Sequence, residues 1–215
     1  MLQSRIDHIV VTAPSLTQGR DYLRQALGVE PQAGGEHPGM GTHNCLLRLG
    51  DDLYLEVIAA DPQAPAPPRP RWFQLDDAHW NSRPQLATWV VRSNDIYGAA
   101  QAASPLAPGA VQAMTRAGLD WLITIPEDGA LALQGAAPAL IQWRTQAHPA
   151  SGMQDAGCSL IRLEAFHPQA AMLSGMLDSI GFEGRFAAFP LEQGRQPYLI
   201  AHIQTPAGPR RLGGI

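Results

Sequence analysis

Ile6-Asp7-His8-Ile9-Val10-Val11-Thr12, then Gly41-Thr42-His43-Asn44, then Tyr54-Leu55-Glu56-Val57-Ile58: these three stretches decide the fold of the chain. Residues 6–12 read as a strand, with Ile6, His8, Val10 and Thr12 on one face and Ile9 and Val11 on the other. Further strands are expected at 43–49 and 53–59, joined at Gly50-Asp51-Asp52. An imidazole or a carboxylate inside an apolar strand is costly unless it is paired or coordinates something. His8, His43 and Glu56 are therefore the first candidates for function.

Between the first two stretches the pattern changes period. Ser15 followed by Gln18 fits a capping box, Leu16, Tyr22, Leu23, Ala26 and Leu27 form an apolar helical stripe, and Gly28 stands where a helix ends. A short strand near 30–33 is only weakly marked. Gly34-Gly35-Glu36-His37-Pro38-Gly39-Met40-Gly41 carries too much glycine and proline for regular structure and is expected to be a loop. The Pro/Ala-rich run 61–70 is an extended connector. A second unit starts at Leu86-Ala87-Thr88-Trp89-Val90-Val91, with a helix over roughly 95–103 and strands near 110–116, 119–125 and 139–144. A third begins with a strand at 159–165, a helix with Pro168 at its first position and a stripe of Met172, Leu173, Met176, Leu177 and Ile180, then a hairpin through Pro206-Ala207-Gly208. Strand, helix and strands recur three times, which argues for an α+β chain with mostly antiparallel, curved sheets.

Composition narrows the function. The 215 residues include 45% apolar and 16% charged, as in a globular protein, with a formal net charge of −4. No basic run exists to hold phosphates, so nucleic acid is not an expected partner. All 15 basic residues are Arg; without Lys there is no Schiff-base chemistry, no P-loop lysine and no pyridoxal phosphate anchor. Cys45 and Cys158 sit in apolar runs, reading as buried thiols rather than a disulfide framework. The start of the chain has no apolar signal region and nothing approaches an apolar span of ~18 residues, so a cytoplasmic protein without membrane contact is expected. The Ala, Gly, Pro and Arg bias suggests a GC-rich bacterial genome.

The order and spacing of Ile6-Asp7-His8-Ile9-Val10-Val11, Leu27-Gly28-Val29, His37 to Asn44, Tyr54 to Ile58 and Arg71-Trp72-Phe73 resemble the vicinal oxygen chelate superfamily, in its glyoxalase-like branch. The resemblance implies paired βαβββ modules forming one cupped mixed sheet over 1–150, with modules at 5–60 and 85–145; the third unit, by its pattern, is expected to be an additional C-terminal βαββ module at 151–215. The resemblance also implies a divalent metal, held by a His of the first strand and a Glu of the last strand of each module: His8 and Glu56 here. The second-module positions fall near Thr88 and Gln142, and neither is a strong ligand. His43 offers itself as the third donor of a two-His, one-carboxylate face that suits iron, manganese, nickel or zinc. With Glu56 a ligand, proton transfer would fall to His37 or His43. Asn44, Thr88 and Gln142 would line the substrate pocket.

Two functions stay open on this reading. One is a metal-dependent lyase, isomerase or dioxygenase acting on a small oxygenated molecule in the cup; the other is metal-free binding of a small molecule, as in resistance proteins. A homodimer is the assembly that the resemblance suggests. The aromatic residues Trp72, Phe73, Trp80, Trp89, Trp121 and Trp143 read as core or cup wall. Arg48 is placed to pair with Asp51 or Asp52. His148, His167 and His202 show no cluster spacing and read as structural.

Overall fold

The computed structural model describes residues 1–214. Its first module is β1 (Ser4–Thr12), α1 (Leu16–Leu27), β2 (Gln32–His37), β3 (Thr42–Gly50) and β4 (Leu53–Ala60). The second is β5 (Gln85–Ser93), α2 (Ile96–Ala102), β6 (Ala110–Arg116), β7 (Leu119–Ile125) and β8 (Ala139–Trp143). Within each module the first strand pairs in parallel with the last. The two first strands, β1 and β5, pair antiparallel and fuse the modules into one eight-stranded sheet of order β2-β3-β4-β1-β5-β8-β7-β6. This is the expected cupped α+β sheet of paired βαβββ modules.

Local signals explain the elements. The Ser15 side chain accepts from Gln18 N at the start of α1, and Gly28 ends it in the left-handed conformation at φ 72°. The glycine-rich stretch departs from its reading as loop: residues through His37 form edge strand β2, and only Pro38–Met40 turn, as a short 3₁₀ segment. A register shift between Ala33 and Glu36 absorbs Gly34 and Gly35, and pairing to β3 supplies the order that propensity lacks. Arg48 does reach Asp51, at 2.5 Å.

One face of the sheet carries the helices over a large apolar core, including Ile9, Val11, Leu55, Val57 and Trp89. The opposite, concave face holds a second cluster built on Val10, Ile58, Trp72, Phe73, Trp121 and Ile141. The C-terminal unit is β9 (Ser159–His167), α3 (Ala170–Ser179), β10 (Phe186–Pro190), β11 (Tyr198–Thr205) and β12 (Gly208–Gly213). It has one strand more than the hairpin count suggests, and its sheet order β10-β9-β11-β12 differs from that of the two modules. Pro168 precedes the helix cap Gln169 rather than opening α3, because the His167 Nδ1 takes the Gln169 N–H just ahead of the helix. Met172 faces outward, while Leu173, Met176 and Leu177 pack inward. Among the described residues no helix is long and apolar enough to cross a membrane.

Candidate active site

The site lies in the concave face and starts from an irregularity in β1. The β1/β5 register shifts between Ile6 and His8, the signature of a bulge. Neighbouring residues of a regular strand point to opposite faces. Here Asp7 and His8 meet instead, with His8 Nδ1 donating to Asp7 Oδ1 at 2.7 Å. The other carboxylate oxygen accepts from Trp143 Nε1 at 2.9 Å and His148 Nε2 at 3.1 Å. Asp7 has no exposed surface. Burial pushes its pKa up, but the hydrogen bonds from His148 and His8 prevail and hold it well below the usual carboxylate range.

An ionised Asp7 fixes the His8 tautomer: Nδ1 carries the proton, and Nε2 turns into the cup with its lone pair free. The ring stacks on Tyr54, its strand partner in β4, at 4.5 Å and 15°. Glu56, two residues on, brings Oε2 to 3.7 Å from His8 Nε2. Its Oε1 accepts from Asn44 Nδ2 at 2.6 Å. Asn44 Oδ1 in turn accepts from Gly35 N at 2.8 Å and Arg116 Nη1 at 3.3 Å. The same guanidinium nitrogen donates to His37 Nε2 at 2.9 Å, and since Arg cannot accept, His37 must donate through Nδ1 to Thr42 Oγ1 at 3.1 Å. Burial, reinforced by the Arg116 cation, pushes the His37 pKa down to about 3, so this ring is neutral. A continuous polar chain thus crosses the floor of the cup from Asp7 to Thr42. Above it is a cavity of about 40 Å³, walled by Tyr54, Trp72, Phe73, Trp121 and Trp143.

His8, Glu56, Asn44 and His37 line one cavity. His43 does not. Asn44 and Leu46 face the cup, and alternation turns His43 with Cys45 and Leu47 to the other face, where its Nδ1 lies 4.0 Å from Asp61. His43 is therefore placed neither as a third ligand nor as a base. His37 is also no base, because Arg116 occupies its only lone pair. Gln142 points away from the cup and caps α2, accepting from Ile96 N at 2.9 Å. By strand register, Ala139 and not Gln142 occupies the position matching Glu56, since Val10 pairs with Glu56 and Val90 with Ala139. Thr88 lines a separate, mostly apolar cavity next door.

A three-donor metal face is not formed. Among the described residues no group of three or more His, Cys, Asp or Glu is placed to hold an ion. Only His8 Nε2 and Glu56 face each other, Asn44 Oδ1 is already shared, and the Arg116 cation stands on the same floor. The donor set does not fit the metal centre that the resemblance implies. Arg116 is missed from sequence, His148 reads there as structural, and Trp143 reads as core or cup wall without its bond to Asp7; each lies on the other module or beyond it, with no local motif to mark its role.

Two modules joined through their first strands into one cupped sheet form the fold that the resemblance to the vicinal oxygen chelate superfamily implies. Residues 6–181 match the model of the glyoxalase-like domain, and the chain belongs to that family. No curated protein matches the chain. Among solved structures, a hypothetical protein from Staphylococcus aureus is similar at 12% identity, covering 98% of this chain and 85% of that one with a TM-score of 0.55. A mutant of 4-hydroxymandelate synthase from Streptomyces coelicolor shows 16% identity over 99% of this chain and 63% of its own, at a TM-score of 0.47. A methylmalonyl-CoA epimerase variant from the same organism, in complex with 2-nitronate-propionyl-CoA, shows 18% identity over 69% of this chain and all of its own, at 0.42.

Proposed function

We propose that the cup binds a small oxygenated molecule and moves a proton on it, with His8 as the acceptor. The observation that carries this reading is the buried Asp7–His8 pair, whose free Nε2 faces Glu56 at 3.7 Å inside the cavity. A C–H next to a carbonyl, seated against Nε2, gives its proton to the imidazole; Asp7 and Glu56 flank the imidazolium that forms. The enolate that results needs a positive partner, and Arg116 is the cation on that floor. The proton then returns to the same carbon or to a neighbouring atom, so nothing is consumed.

The test is proton exchange. The protein is incubated in D₂O with 2-oxo acids, 2-hydroxy acids and small hydroxyketones, and loss of the C–H signal is followed by NMR. Exchange that falls by about 10²-fold or more in His8→Ala supports the reading. Exchange that survives His8→Ala intact sinks it. Saturable binding with no exchange leaves the second reading, metal-free sequestration, which the aromatic wall of the cavity favours.

A further inference from the structure

Trp72 sits on the 3₁₀ segment Trp72–Gln74 that covers the cup, and it lines both the polar cavity and its apolar neighbour. It is only 4% exposed, yet its indole Nε1 has no hydrogen-bond partner among the described residues. Tryptophan Nε1 is a donor only, and a buried donor left unpaired is disfavoured strongly enough that most find an acceptor. The His37 ring stands between this indole and the arginine: its centroid is 5.0 Å from that of Trp72, and its Nε2 accepts from Arg116. Arg116 spends a single nitrogen on protein partners in the cup, so its fork keeps donors to spare. A cation and an unpaired neutral N–H on residues that line one cavity match a carboxylate.

The adjoining cavity, about 20 Å³, shares Trp72, Phe73 and Ile123 with the first. Its remaining lining is mostly apolar, including Ile125 and Leu131. We infer that Trp72 and Arg116 together clamp the carboxylate of a short 2-oxo or 2-hydroxy monocarboxylic acid, whose apolar tail enters the Thr88 cavity. The two small volumes limit the acid to a short chain, because a single water already needs about 10–15 Å³. The inference rests on the cup being the ligand site proposed above.

The probes are 2-oxobutyrate, 2-hydroxybutyrate, their homologues to six carbons, and 2-oxobutanamide. The chain has five Trp, so the indole N–H resonances can be assigned individually and followed during titration of the wild-type protein. Expected are saturable binding of the acids, a downfield shift of the Trp72 Nε1–H, and no binding of the amide. Trp72→Phe and Arg116→Gln should each weaken binding by about tenfold or more, the effect of losing a hydrogen bond to a charged group. Binding that leaves the Trp72 resonance unmoved, equal binding of the amide, or failure of the whole acid series would overturn the inference. The indole readout needs no variant and so survives any folding defect. A Trp72 shift without deuterium exchange upholds the clamp and sinks the proton-transfer reading; exchange with the Trp72 signal unmoved does the reverse.

Discussion

Asp7 accepts three hydrogen bonds at zero exposure, so its charge holds His8, Trp143 and His148 in place at once. Asp7→Asn keeps the shape but removes the charge and forces an amide N–H against buried donors. A stability loss of about 2–4 kcal/mol by urea unfolding is expected, together with loss of exchange activity as the His8 tautomer is released. Loss of activity at unchanged stability would argue that the carboxylate only sets the tautomer. His37 has its own signature in pH. Its folded pKa of about 3 lies below the ordinary 6.5, so the unfolded chain binds the extra proton between those values. The stabilisation is complete above pH 6.5 and falls by up to about 1.4 kcal/mol per pH unit as the pH drops through that window. His37→Gln should flatten this part of the stability curve; an unchanged slope would show that the ring protonates freely in the native state.

At the scale of elements, the bulge in β1 and the glycines of β2 build the floor. Gly34 is required by close approach: a Cβ there would fall 2.0 Å from Asn44 Oδ1 and 2.8 Å from the Asn44 carbonyl oxygen. Gly34→Ala should cost about 1–3 kcal/mol and weaken ligand binding, since displacing Asn44 frees Glu56 and Arg116 together. Gly39→Ala, where a Cβ meets nothing within 4 Å, is the control, and a thermal melt within about 0.5 kcal/mol of wild type is expected. Equal effects of the two would mean that β2 tolerates repositioning of Asn44. The alternation and capping of β1, α1, β3 and β4 were legible because the pattern is local. β2 was not, since its order comes from pairing and from the Gly35–Asn44 bond rather than from propensity.

At the scale of the molecule, the C-terminal unit shares one apolar cluster with the eight-stranded sheet. Trp89 of β5 is fully buried, stacks on Phe186 at 4.5 Å and meets Phe182 edge-on at 5.6 Å. Trp89→Ala is expected to cost about 3–5 kcal/mol and to lower a single unfolding transition common to both sheets. Two separate transitions would show that the C-terminal unit unfolds on its own. The amino-acid sequence by itself determined the recurring strand–helix–strand units and the strands that carry His8 and Glu56, because periodicity, caps and residue type are written locally. The pairing of the first two units into one cup was an expectation from the resemblance. Only the tertiary structure decided that His43 turns away, that a bulge joins Asp7 to His8, and that Arg116, Trp143 and His148 complete the floor. A one-residue change of register reverses a side chain, and partners up to 141 residues apart meet only once β1 and β5 have paired.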